Sequence, residues 1–203
     1  RNAKILMGLE LNYINGQTPL DEDEKDGLLI KTISTRGDLD EFEQLNIEEA
    51  KIWLLKTKLD TSKILSEDFI KELHSQMFGN VWRWAGSFRN SNKNIGVDKF
   101  DIPIHLCNLL DDTKYWIHNK TFSEDEIAIR FSHRLVQIHL FPNGNGRHSR
   151  LIADVLINKG FGKEEFTWSS TDITSAGSVR SSYLRALRNA DAGDFIDLIA
   201  FAR

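Results

Sequence analysis

The string His139-Leu140-Phe141-Pro142-Asn143-Gly144-Asn145-Gly146-Arg147-His148-Ser149-Arg150 concentrates residue types that handle phosphate. Gly144 and Gly146 let the backbone turn sharply and approach a ligand, presenting consecutive N–H groups as an anion nest. A helix starting at these glycines adds unpartnered amides and a partial positive end. Arg147 and Arg150 are three apart, so they share one side of that helix and can grip separate phosphate oxygens. His139 sits just before the nest, and an imidazole with the ordinary pKa of about 6.5 suits general-base work near neutral pH. Phe141 between them should plug into the core and hold imidazole and nest in one relation. Asn145 offers a carbonyl and an amide, to loop groups or to a phosphate. On chemistry alone this is a polyphosphate site with a base beside it. Two readings compete: an ordinary Gly/Asn turn with solvated arginines, and a nucleic-acid backbone site. No GxxxxGK[ST] string is present, nor a strand leading into GxGxxG, which disfavours other glycine-rich phosphate loops.

The elements that must carry this string read as helices. Ser123 and Glu126 have the spacing of a capping box, and Ile127, Phe131, Leu135 and Ile138 make one buried face leading to His139. Pro142 should stop that helix, because its ring clashes with a preceding turn. A second helix from the glycines buries Leu151, Ile152, Val155 and Leu156 and ends near Gly160. Earlier helices are expected over 38–60, over 66–79 and from Pro103 to about His118, and later ones over 175–189 and 192–201. Asn92, Asn94 and Gly96 favour turns, so Ile95–Val97 suggests a short hairpin. The class is all-α, mainly helical, packed around a central helical hairpin, with a small β-hairpin as its one strand-like feature.

Composition limits the partners. With 203 residues and a net charge of −4, the chain suits one large domain and gives no general reason to expect nucleic acid. One Cys excludes a disulfide scaffold and favours a reducing, cytoplasmic setting; Cys107, in a Leu-rich segment, reads as a buried inert thiol. No stretch reaches the roughly 18 apolar residues of a membrane span, and no signal peptide is evident. His74, His105 and His118 are too scattered for a zinc site, while His133 and His148 read as structural.

The string at 139–150 resembles the signature of the Fic (filamentation induced by cAMP) domain family, HxFx[DE]GNGRxxR, at every position but the acidic one. The stretches NGQTPLDEDE, DLDEFEQLNI, FGNVWRWAGSFRNSNKNIGV and LRNADAGDFIDLIAFAR resemble its bacterial mobile mystery protein B branch. The resemblance implies an N-terminal extension over 1–60 and a catalytic domain over 61–203, forming one compact unit. It also implies transfer of AMP from ATP to a Ser, Thr or Tyr hydroxyl of a protein. By position, His139 would be the base, and Gly144, Asn145, Gly146, Arg147 and Arg150 would hold the phosphates. Tyr183 would lie near the adenine. Asn94, Ile95, Gly96 and Val97 would belong to a flap on which the protein substrate, or the chain itself, docks. Asn143 stands where many members have the carboxylate that coordinates Mg²⁺ (or Mn²⁺). Its amide brings no negative charge, so weaker metal use, another donor, or a binding-only regulatory module are each open. Glu43, in Leu39-Asp40-Glu41-Phe42-Glu43-Gln44, resembles a degenerate form of the family's inhibitory pattern [ST]xxxE[GN], which implies a resting Glu43–Arg150 pair.

Overall fold

The structure is a computed structural model that describes residue 11, residues 18–168 and residues 177–203. The chain enters through the short helix α1 (Glu22–Lys25) and turns into the long α2 (Arg36–Lys56), which begins at a reciprocal capping box between Thr35 and Asp38. A short α3 (Thr61–Ile64) and α4 (Glu67–Phe78) follow; the Ser66 hydroxyl accepts the Phe69 N–H at the start of α4. Then come α5 (Ile102–Asn119), α6 (Glu124–Ile138) and α7 (Asn145–Val155), whose end loosens into a π-helical turn at Leu156–Gly160. After it stand α8 (Ser178–Asp191) and α9 (Ile196–Ala202). Of the helix expected from 175, residues 175 and 176 lie outside the described residues, as do residues 1–10 and 12–17 of the expected N-terminal extension.

Helix α6 packs against α5, α7 and α9, and α4 packs against both α2 and α7. The stripe Leu39, Ile47, Ala50 and Leu54 of α2 joins the same core as Phe69, Leu73 and Met77 of α4 and Phe131 and Leu135 of α6. Ser123 accepts the Glu126 N–H as its spacing predicts, but the Glu126 carboxylate turns to Arg130 at 2.7 Å and does not complete the box. A charged partner one turn along outcompetes a backbone amide there.

The expected hairpin is not formed. Residues 90–98 are a series of bends, and among the described residues the β-type pairing is a single antiparallel bridge between Leu28 and Trp82. The two arms of the loop pair with the segment before the nest instead of with each other: the Arg89 N–H donates to the Leu140 carbonyl at 2.9 Å and the Val97 N–H to Ile138 at 3.3 Å. Cys107 is exposed rather than buried, because α5 turns Leu106, Leu109 and Leu110 inward and leaves position 107 on its outer face. No described helix is long and apolar enough to cross a membrane.

Candidate functional site

Helix α6 ends at His139 by a change of backbone hand. His139 has φ 59° and ψ 65°, a left-handed conformation that costs a non-glycine residue roughly 1–2 kcal/mol. Arg89 holds it there. Its guanidinium is buried: Nε donates to the His139 carbonyl at 2.6 Å, Nη1 to Ser91 O at 2.8 Å, and Nη2 to Val97 O and to Ile138 O. One side chain therefore ties both arms of the 90–98 loop to the turn carrying the imidazole. Gly96 completes the contact: with φ 103°, a Cβ there would sit 2.7 Å from His139 Cβ, so only glycine lets the loop lie this close.

The next turn is fixed from the other side by His74. Its Nδ1 accepts the Gly86 N–H at 3.0 Å, so Nε2 carries the proton and donates to the Asn143 carbonyl at 3.1 Å. Its ring stacks on Phe141 with centroids 3.7 Å apart. Gly144, at φ 78°, is the N-cap of α7 and has no side chain to accept a first-turn N–H, and a Cβ on it would meet the Phe78 ring at 2.6 Å. Asn145 is buried and holds the loop: its Oδ1 accepts the Phe141 N–H at 2.9 Å and its Nδ2 donates to the Phe141 carbonyl at 2.8 Å. Of its two expected tasks it performs the one on the loop, and its position on the cavity lining leaves the second N–H of Nδ2 for the other.

A cavity of about 180 Å³ opens over this turn. His139, Asn143, Gly144, Asn145, Gly146, Arg147 and Arg150 all line it, with Ile95 from the loop and Tyr183 from α8. The first-turn residues of α7, Asn145 to Arg147, have amides with no intrahelical acceptor, and they border the same space. A Cβ on Gly146 would lie 3.7 Å from Arg150 Nη1, so the glycine keeps that space open. The Arg150 guanidinium sits 5.4 Å from the Tyr183 ring centroid. Asn94, Gly96 and Val97 do not border the cavity; Asn94 is exposed on the loop, and Gly96 acts through its contact with His139.

His139 is 5% exposed and both its ring nitrogens are shut off from solvent, with the Val136 backbone near enough to support the charged form. Burial, then the nearby Arg89 charge, pushes its pKa down to about 4, well under the near-neutral value expected from the residue type. It is thus a neutral imidazole beside a cavity lined by cations. Burial likewise lowers His148 to about 4 and holds His74 well below the ordinary imidazole value. Those two are structural: His148 Nε2 lies 3.0 Å from the Ile70 carbonyl.

Glu43 reaches a different arginine from the one expected. Its Oε2 lies 2.7 Å from Arg147 Nη1, and its Oε1 accepts the buried Trp82 indole N–H at 2.5 Å. The α2 turn that carries Glu43 faces the first turn of α7, where Arg147 lies across the Phe78 ring, and Arg150 points on toward Tyr183. Residue-type reasoning missed Arg89, His74, Arg36 and Arg180, the last two of which also line the cavity. For His74 a signal existed: it falls on the buried face of α4 between Ile70 and Met77, where a polar group must find partners.

Residues 64–157 match the profile of the Fic/DOC family. This stretch is a Fic/DOC-family domain. It contains the whole motif turn, the 90–98 loop and helices α4 to α7. The Fic domain resembles the protein adenylyltransferase Fic of Aedes aegypti, 29% identical over 119 residues, which covers 57% of this chain and 24% of that protein. The namesake of Nematostella vectensis is 26% identical over 168 residues, 80% of this chain and 37% of that one. The chain thus spans about a quarter to two-fifths of these curated relatives. Among solved structures, Fic-1 of C. elegans superposes with a TM-score of 0.63 at 22% identity, covering 79% of this chain and 46% of that one. BepC of Bartonella tribocorum, solved with bound AMPPNP, gives 0.67 at 16% identity, covering 89% and 96%. At these identities the structural likeness concerns the Fic fold.

Proposed function

We propose that this protein is an adenylyltransferase that moves the AMP part of ATP onto a Ser, Thr or Tyr hydroxyl of a protein. The observation that carries the reading is His139: a neutral imidazole lining the same cavity as Arg147, Arg150 and the first turn of α7. Phosphates bound there meet amides and guanidinium groups placed in advance, which is the main contribution a protein makes to phosphoryl chemistry. The target hydroxyl oxygen attacks the α-phosphorus, its proton passes to His139, and pyrophosphate leaves with the electron pair of the broken P–O bond. The bound phosphates raise the imidazole pKa from its resting value and so make it a stronger base when the donor is in place. The target segment docks along the 90–98 loop, whose Ile95 is both exposed and at the cavity edge; Tyr183, which lines the cavity, is the residue we assign to the base. The Glu43–Arg147 pair restrains the site, because carboxylate and phosphate compete for one guanidinium. We assign the protein to a cytoplasm, the setting its single cysteine favours.

The chemistry that Mg²⁺ would supply is bridging and neutralising the phosphates. The residues present do not fit it well. Asn143 Oδ1 already accepts the Gly144 N–H at 2.6 Å, its Nδ2 donates to the Thr18 carbonyl, and no group of three or more His, Cys, Asp or Glu among the described residues could hold a metal. No step above runs through a metal.

Donor-resolved intact-protein mass analysis tests the reading. Wild type, Glu43→Gln and His139→Ala proteins are incubated with ATP and lysate. An AMP increment on a protein, or on the chain itself, is expected with the first two and not the third. A phosphate or UMP increment would reassign the donor, and an AMP increment undiminished in His139→Ala would remove the assigned base.

A further inference from the structure

Four of the ten large apolar side chains that stand exposed among the described residues fall on α2: Phe42, Leu45, Ile52 and Leu55, the last of them 75% exposed. They lie opposite the stripe Leu39, Ile47, Ala50 and Leu54 that packs inward, so α2 carries apolar residues on both of its sides. The outer side is ordered. At 100° per residue, Glu41, Leu45, Ile52 and Lys56 fall within about 60° of one another and form one seam down the helix. Its ends are opposite charges and its middle is apolar. Glu41 and Lys56 are both exposed, and neither has an ion-pair partner among the described residues of its own chain. Phe42 and Leu55 stand on the two flanks of the seam.

The seam is its own complement. Positions 41 and 56, like positions 45 and 52, are equally distant from the midpoint between residues 48 and 49. Laid antiparallel on the same helix of a second copy, about a two-fold axis through that midpoint, each Glu41 faces Lys56 of the other copy and each Leu45 faces Ile52. The central carboxylates stand to either side of the seam, each engaged within its own chain: Glu48 lies 3.2 Å from Lys51 Nζ, and Glu49 accepts the Asn80 Nδ2 at 2.8 Å. We propose that this face of α2 is an interface between two copies of the chain, closed by an antiparallel α2–α2 pair. A parallel pair would set Glu41 on Glu41 and Lys56 on Lys56, and facing like charges oppose it. An unrelated partner requires no such two-fold symmetry of the face, whereas a second copy does. Taking Leu45, Ile52 and Leu55 out of water drives the association, and a single helix pair makes a small interface, at the weak end for specific complexes. The face lies on the side of α2 away from Glu43, so the pair is independent of the transfer chemistry.

Sedimentation velocity on the full chain tests the pair. Wild type should be monomeric near about 1 µM and move to twice that mass by about 100 µM. The double variant Leu45→Gln, Ile52→Gln should stay monomeric throughout, and because both positions are exposed its melting temperature should remain near that of wild type. Glu41→Lys alone and Lys56→Glu alone each set like charges at both ends of the pair, so each should weaken association by about ten-fold or more. Mixed in equal amounts, the two single variants regain an opposite-charge contact at each end, and the mixture should associate like wild type. That pattern is specific to the antiparallel register, and thermal melts identify any variant that fails to fold. Three results would each overturn the pair. One is a wild type monomeric at every concentration, as expected if a different protein covered the face. The others are association unchanged in the Leu45, Ile52 variant and a charge-reversed mixture no better than its components.

Discussion

Glu43 Oε2 and Arg147 Nη1 lie 2.7 Å apart, joining α2 to the first turn of α7 between side chains that are 3% and 19% exposed. The contact is close, yet Oε2 receives no aligned N–H, so charge rather than directed hydrogen bonding holds it. The other oxygen is bound to the Trp82 indole, which fixes the carboxylate from behind. Glu43 therefore has two separable jobs, one at the site and one in the core.

Two substitutions separate them. Glu43→Gln removes the charge and keeps an acceptor for the indole, so ATP affinity should rise about ten-fold with little change in melting temperature. Glu43→Ala should release Arg147 equally but leave a buried indole N–H unpartnered, at a cost of about 1–3 kcal/mol. Calorimetry and thermal melts on the pair check this; equal affinity in wild type and Glu43→Gln would end the restraining role.

Arg89 should govern the imidazole through both charge and geometry. Its positive charge lowers the His139 pKa and its fork holds the His139 carbonyl, so Arg89→Ala should move that pKa upward and release the 90–98 loop. Histidine resonances followed against pH by NMR read the first effect independently of activity. Transfer should fall about 100-fold, given how steeply rate depends on a sub-ångström placement. Arg89→Lys should restore the charge effect but not the fork.

Acid should destabilise the fold before it titrates the site. His139 and His148 have folded-state pKa values of about 4, against about 6.5 unfolded, and His74 is also held well below the ordinary value by burial. As pH falls from 6.5 toward 4, the unfolded chain takes protons that the folded chain refuses, so stability drops by up to roughly 3 kcal/mol for each of His139 and His148. Melting temperature should fall steadily between pH 7 and pH 5. The fall should be shallower in His148→Gln, which keeps a donor for the Ile70 carbonyl.

Asn145 should behave as a clamp of the loop. Asn145→Ala strands the buried Phe141 N–H and carbonyl, with an expected loss of about 2–4 kcal/mol and weaker ATP binding as the nest loosens. Asn145→Asp keeps the acceptor but sets a carboxylate against the Phe141 carbonyl, so it should be no better. A melting temperature unchanged in both would contradict the clamp.

Much of this protein is legible along one dimension. The apolar stripes of α4 and α6, the start of α4 at Ser66 and the glycine turn between α6 and α7 follow from helical periodicity and local hydrogen bonding, which act over a few residues. The same arithmetic puts Arg147 and Arg150 on one side of α7, and they do share a cavity with His139. What separated elements do to each other was not legible. Glu43 meets Arg147 across more than a hundred residues of chain, the 90–98 loop pairs with the turn at 138–140 instead of with itself, and Arg36 and Arg180 converge from α2 and α8. Burial set the His139 pKa, and packing left Cys107 outside. Periodicity tells a side chain which face of its own helix it occupies. Its charge partner, its solvation and the arginine within reach depend on how helices dock, through contacts that no local pattern contains.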